Sequence, residues 1–491
     1  MTTTAWDELS QQIAELDTLA GIGGLLGWDQ QVAMPSGSAT GRAQQSELIG
    51  RLYHEQATSA RLGELIEAVA ALPNSTQEQQ AAVRNMRRTY RRGTCVPSKL
   101  ASRIAKASAS GVAAWGEAKK ENKYGLFAES LQTNVDLALE RAQAIDPKRH
   151  PYDVLLEDYD PGTTVEDLRR MFGALQQGLT DIRKQALARK GSVAFTEHFD
   201  KAKQLAMHQD VILAVGYDTT RGTLHEAEHP FSCRVGSRDV RIATHVHERD
   251  LLSGLAATMH ELGHGLYEQG IPEGPGGSAV YAATSTGMHE SQSRLWENMI
   301  GRSRGFYRWL KPLLKRHFPD QVFDPELIFQ SSNRVTSGSI RVFAEEVSYN
   351  LHIILRFEME LALLEQRITV ENVPGEWARL SEQFLGIRPK DDAEGVLQDA
   401  HWAGGAFGYF PSYTLGNLYA ASLFAVLRER LPDLEHRIEE GDFATILHFL
   451  RERIHCHGHL YETPDLLQKA VGTRDHVKDL LSYLRERYIN P

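Results

Sequence analysis

The stretch LLSGLAATMHELGHGLYEQG (251–270) decides how this chain is read. Leu251, Leu255, Leu262 and Leu266 recur at helical spacing, and the run ends in glycine, a common helix stop. On such a helix His260 and His264 stand one above the other, about one turn apart. That pitch lets both imidazoles reach one metal ion at roughly 2.0–2.1 Å. Glu261 is rotated about 100° from His260, so it suits a place beside a metal rather than on it. A carboxylate there can take a proton from water that a metal has acidified.

A catalytic zinc needs a third protein ligand and an open position. The metzincin extension requires glycine at 267 and histidine at 270, whereas this chain has Tyr267 and Gly270. The other source is a second helix. After the Gly/Pro-rich loop PEGPGGSAVYAATSTG (272–287) comes MHESQSRLWENMIGRS (288–303), which reads as a helix running back beside the first. Glu290 in its first turn is the expected third ligand, with His289, Glu273 and Glu297 as rivals. Two further histidine groups lack a general base and ligand-like spacing. They are His455, Cys456, His457 and His459 in RIHCHGHLYETP (453–464), and His245 with His247.

Working outward, helical periodicity dominates. It runs through 6–28, 108–145 and 341–366, and prolines in PSKL, DPKRHPYD and LPDLEH mark helix starts and stops. Only HPFSCRVGSRDVRIATHV (229–246) alternates apolar and polar residues about a Gly-Ser turn, which predicts a β-hairpin over Phe231 to Val246. The fold class is therefore mostly α, a large helical body with one small antiparallel sheet next to the motif. No linker, low-complexity tract or repeat divides the 491 residues, so 1–491 is expected to form a single domain, with two lobes at most.

A formal net charge of −10 argues against nucleic acid or an anionic membrane as partner. The exception is RNMRRTYRRG (84–93), read either as a solvated helix face or as a phosphate-binding patch. Three scattered cysteines make no disulfide framework, the N-terminus is an acidic amphipathic stretch, and no apolar run reaches spanning length. A soluble, cytoplasmic protein is expected.

HELGH followed by HESQSRLWEN resembles the thermostable metallocarboxypeptidases, peptidase family M32. The likeness extends over nearly the whole chain through LLGWDQQVAMPSG (25–37), PYDVLLEDYDPG (151–162) and GVLQDAHWAGGAFGYFPSYTLGN (395–417). Its HPF motif is His229, Pro230 and Phe231; its HESQ motif is 289–292, with Glu290 as the metal-ligating glutamate; its GxxQ motif ends in Gln398. Two motifs depart from the family pattern: DxRxT keeps Asp239 and Arg241 but has Ala243, and IRxxAD keeps Arg341 but has Glu345.

The resemblance implies a gluzincin body with a deep central groove and one zinc per chain, for which cobalt can substitute. It further implies a cytoplasmic homodimer that releases single amino acids from peptide C-termini with broad specificity. By similarity to the related neurolysin-like peptidases, His401, Tyr409 and Tyr413 come near the substrate. Glu261 is then the general base, and Tyr413, with Tyr409 second, the phenol that binds the oxyanion. An exopeptidase also has to sense a free carboxylate, for which Arg341 and Arg241 are the candidates, with His229 and Gln398 lining the substrate site. The competing reading of Arg341 is a helical ion pair with Glu345, four residues on. Rival functions are a dipeptidyl carboxypeptidase or oligoendopeptidase on the same scaffold, and an inactive peptide- or zinc-binding protein. The last would have no need of Glu261.

Overall fold

The computed structural model describes residues 4–189, 195 and 197–490. Helices make most of it, and the main apolar core runs from Ala118, near the end of the helix Ser98–Glu121, to the last helix, His476–Tyr488. A second core forms where the N-terminal helices Ala5–Val32, Ala60–Ala70 and Gln77–Cys95 close over Ala279 and Val280. The helical run expected over 108–145 is two helices, Ser98–Glu121 and Gly125–Ile145. The first ends at Asn122 in the left-handed conformation (φ 52°), which asparagine tolerates better than most residues.

The hairpin is present as β2 (Phe231–Gly236) and β3 (Asp239–Thr244), antiparallel, with Cys233 opposite Arg241. The sheet is mixed rather than purely antiparallel. A three-residue strand, β1 (Leu224–Glu226), pairs with β3 in parallel, giving the order β1-β3-β2. Ala243 on β3 is fully buried, in a small cluster with Trp28 and Ala227, so the departure from threonine falls in packed wall.

β3 lies against the helix Leu251–Gly270, whose Leu255, Met259, Leu262 and Leu266 enter the main core. Asp250 caps that helix, its side chain accepting from the Ser253 N–H. The helix Thr286–Arg294 packs across it, and the approach is backbone to backbone at Gly263. A Cβ there would stand 2.6 Å from the Gln292 carbonyl oxygen and from Ser293 Cα. Any larger residue forces the two helices apart. On the other side, Gly416 of the helix Pro411–Arg430 admits Glu290, whose Cγ lies 2.5 Å from where a Cβ would be. Two glycines thus clamp the helix that carries Glu290.

Candidate metal centre and active site

The two helices bring His260, His264 and Glu290 together, with one donor atom from each within 4.8 Å of the others. Nε2 of His260 and Nε2 of His264 lie 3.6 and 3.4 Å from the same oxygen, Oε2 of Glu290. Two ligand bonds of about 2.0–2.1 Å at a tetrahedral angle put their donors about 3.3–3.4 Å apart. The group therefore fits a small tetrahedral divalent ion. Among the described residues it is the one His/Cys/Asp/Glu group that meets such spacing.

Each ligand is oriented from behind. Arg294, one turn after Glu290, donates from Nε to Oε1 at 2.6 Å, which turns Oε2 toward the imidazoles. Nδ1 of His260 lies 2.8 Å from Oε2 of Glu297, which Arg302 also holds. Glu297 reaches that position because the helix widens into a π-helix over Leu295–Ile300, in place of the regular α-helix expected from the sequence. The rival ligands do other things. His289 stacks on His264 and bonds to Glu268, which Arg234 also holds, and Glu273 is exposed. The other histidine groups do not converge on a metal position: His455 bonds to Gln292, and His245 to the Ala227 carbonyl.

Electrostatics differ sharply between neighbours. Burial alone would depress His260, but Glu290 and Glu297 outweigh it and lift its pKa to about 9. His264 lacks a counterpart of Glu297, and burial takes it down to about 3. Metal binding requires both rings neutral, so the ion would displace the His260 proton. Glu261, 6% exposed, is pushed up to about 7 by burial, with Glu290 adding to the rise and His260 opposing it. A carboxylate with a pKa near neutrality is suited to accepting and returning a proton.

Tyr409 and Tyr413 come from the turn before the helix Pro411–Arg430 and from its first turn. Their rings are 5.3 Å apart, and Nε2 of His401 lies 3.3 Å from the Tyr413 hydroxyl. Burial raises the pKa of both phenols, helped next by the Glu290 charge at Tyr409 and by the neighbouring phenols Tyr409 and Tyr349 at Tyr413. The sequence places Arg341 and Glu345 on one helix, but Arg341 sits in a short 3₁₀ turn and the helix begins at Glu346. Glu345 instead caps that helix, accepting from the Val347 and Ser348 N–H groups. Arg341 gives Nε and Nη2 to Asp399 (3.0 and 2.7 Å) and Nη1 to the Tyr349 hydroxyl (2.8 Å). Asp399 also takes the fork of Arg356, so two guanidiniums share one carboxylate. Oε1 of Gln398 accepts from the Arg341 backbone N–H, which ties the GxxQ residue to the Arg341 turn. Arg241 is paired one to one, its Nε and Nη2 donating to the two oxygens of Asp239, and His229 is exposed just before β2.

Comparison with known proteins joins these observations. The family described as "Carboxypeptidase Taq (M32) metallopeptidase" matches residues 8–488. The chain belongs to that family. It is 36% identical to thermostable carboxypeptidase 1 of Thermus thermophilus, over 99% of this chain and 98% of the relative. Identity to carboxypeptidase 1 of Bacillus subtilis is 34%, over 95% and 94%. The solved M32 carboxypeptidase of Deinococcus radiodurans superposes with a TM-score of 0.96 at 34% identity, covering 99% of this chain and 98% of that one. The Pyrococcus furiosus carboxypeptidase gives 0.95 at 30% identity, covering all of both chains. This M32 protein is therefore a metallocarboxypeptidase with the expected mostly helical fold. Sequence reasoning had Glu297 only as a rival ligand and missed Arg294, Asp399 and Arg356, whose signals are contacts rather than motifs.

Proposed function

We propose that the enzyme is a zinc carboxypeptidase of broad specificity, a single catalytic domain acting on peptides with a free C-terminus. Two imidazoles and a carboxylate suit zinc, with cobalt as a substitute. When bound, the metal supplies a Lewis acid that polarises the scissile carbonyl and acidifies water. Glu261 takes the proton of the attacking water and passes it to the departing amine. The Tyr413 phenol, with Tyr409 beside it, donates to the carbonyl oxygen as that atom becomes negative. His401 holds the Tyr413 hydroxyl.

Terminal selection falls to Arg341 ahead of Arg241. A guanidinium has five N–H donors, and Arg341 spends three of them on Asp399 and Tyr349. Asp399 neutralises only one of its two arginines, so the pair keeps a positive charge that a substrate carboxylate can meet. Arg241 has no such excess, since Asp239 matches it. Gln398 acts by holding the Arg341 turn, and His229 is a substrate-facing candidate at the sheet edge. A cytoplasmic homodimer without membrane or nucleic-acid partners completes the reading; among the described residues no helix is long and apolar enough to cross a membrane.

The observation that carries the proposal is the convergence of three ligand atoms with Glu261 next in chain. Mass spectrometry of one unblocked peptide over time, with and without chelator, tests it. Successive loss of single C-terminal residues, stopped by chelator, is expected. Dipeptides or internal fragments as first products would favour the dipeptidyl carboxypeptidase or oligoendopeptidase reading. Glu261→Gln should keep its metal and lose at least ~10²-fold in kcat.

A further inference from the structure

The basic stretch 84–93 plays no part in the chemistry above, yet it builds a cavity. Arg84, Arg87, Arg88, Arg91 and Arg92 recur at helical spacing along Gln77–Cys95, so they share one face. With Arg149 they line a cavity of about 480 Å³, in the range of small-molecule sites. Val69, Val83 and Ile145 contribute its apolar part. Only two carboxylates, Asp146 and Glu157, line it against the six arginines, in a chain whose net charge is −10. The pairing is uneven. Arg91 is 63% exposed and comes no nearer than 3.8 Å to Asp146, and Arg87 is half-exposed on Glu67. Arg84 and Arg88 share the single carboxylate of Glu462, which lies outside the lining, while Arg88, Arg92 and Arg149 crowd about Glu157, the first two at 3.7 and 3.6 Å. A solvated helix face does not need to converge on a concavity, and guanidinium forks match phosphate oxygens better than any other side chain does.

The cavity is also wired to the metal helix. Arg92 holds Asp158 at 2.8 Å, and Arg141 holds its other oxygen. In the next two residues, the Tyr159 carbonyl accepts from the Thr286 N–H (2.8 Å) and the Asp160 carboxylate from the Gly287 N–H (2.9 Å). Those are the first two residues of the helix that carries Glu290. Asp160 also accepts from Ser412, on the helix that carries Tyr413, and Tyr159 packs edge-on against Tyr409. An anion that draws Arg92 and Arg149 away from Glu157 and Asp158 would therefore act on the turn that seats both Glu290 and the tyrosines.

We propose that this cavity binds a compact polyanion, a small molecule carrying two or more phosphate groups, and that its occupancy changes turnover through residues 157–160. The probe is inorganic pyrophosphate, titrated calorimetrically into the holoenzyme alongside kcat/KM for one peptide. Arg91→Gln and Arg87→Gln/Arg91→Gln serve as controls, because both side chains are exposed and neither belongs to the catalytic site. Their basal activity should equal wild type, and pyrophosphate that merely strips metal does so equally in all three. The expected result is saturable binding to wild type, weakened as salt rises, and at least about tenfold weaker in the double variant. A change in wild-type kcat/KM should saturate with binding and vanish in that variant, with metal content constant. Absent binding, or equal binding to wild type and double variant, overturns the site. Saturable binding that leaves wild-type kcat/KM unchanged overturns the coupling.

Discussion

Nδ1 of His260 lies 2.8 Å from Oε2 of Glu297, a residue that stands outside the His260–His264–Glu290 group. A carboxylate behind a ligating histidine fixes the ring's tautomer and aim and raises its basicity. Glu297→Ala should therefore weaken metal affinity by roughly 10–100-fold while His260, His264 and Glu290 all remain. Competition against a chromophoric chelator measures this. Unchanged affinity would show that Glu290 and Arg294 alone fix the geometry.

Gly263 lies between His260 and His264, the two candidate metal ligands, and makes a different demand. Its missing Cβ is what lets Gln292 and Ser293 approach. Gly263→Ala gains helix propensity on a lone helix, yet here overpacking against backbone should cost about 1–3 kcal/mol or more. Lower Tm together with weaker metal binding is expected, since Glu290 is displaced with its helix. An unchanged Tm would mean that the interface yields without loss.

Much of this was legible in the sequence, and the failures share a cause. The two histidines, Glu261 and Glu290 follow from helical pitch and one return helix, both local properties. The hairpin followed from alternation, but β1 has only three residues, Leu224–Glu226, too few to carry a period. The break at Asn122 had a signal in Asn-Lys-Tyr-Gly that the flanking helical pattern masked. Arg341 shows the limit best. A glutamate four residues away looked like its partner, while the actual partner, Asp399, is 58 residues on. The π-helix over Leu295–Ile300, all six residues of it buried, has no counterpart in the helical spacing of the sequence.

Glu360 gives a pH prediction away from the metal. Fully buried, it accepts from the Tyr152 hydroxyl (2.7 Å), the Trp402 indole (2.9 Å) and the Gly408 N–H (3.2 Å), and so holds the turn that delivers Tyr409. Burial pushes its pKa up to about 7, against those hydrogen bonds. The folded state thus keeps a proton that the unfolded chain releases near 4.5. Its contribution to stability is full below that value and is lost as pH rises toward 7. Glu360→Gln cannot titrate. The Tm difference, wild type minus variant, should therefore shrink from about pH 5 to about pH 8. A constant difference would show the carboxylate ionised throughout.

A metal ion and Glu261 do not read a chain terminus, so exopeptidase action needs a group that rewards a carboxylate one residue beyond the scissile bond. Two arginines are candidates, and their partners separate them. Arg241 is matched by Asp239, fork to carboxylate, so a substrate carboxylate would have to compete with an ion pair. Arg341 shares Asp399 with Arg356 and lies 5.0 Å from the Tyr413 ring, so it carries unmatched charge beside the proposed oxyanion donor. Converting a substrate's C-terminal carboxylate to the amide removes the charge at nearly constant size. Charge-assisted hydrogen bonds are worth roughly 1.5–3 kcal/mol each, so kcat/KM should fall at least about tenfold. Arg341→Ala should abolish most of that preference while retaining metal, because Arg356 still neutralises Asp399. Arg241→Ala should keep most of it. One acid/amide peptide pair assayed with wild type and both variants decides the matter. Equal cleavage of both peptides by wild type removes the carboxylate sensor altogether. Preference lost in Arg241→Ala and kept in Arg341→Ala reverses the assignment, and with it the argument from shared charge.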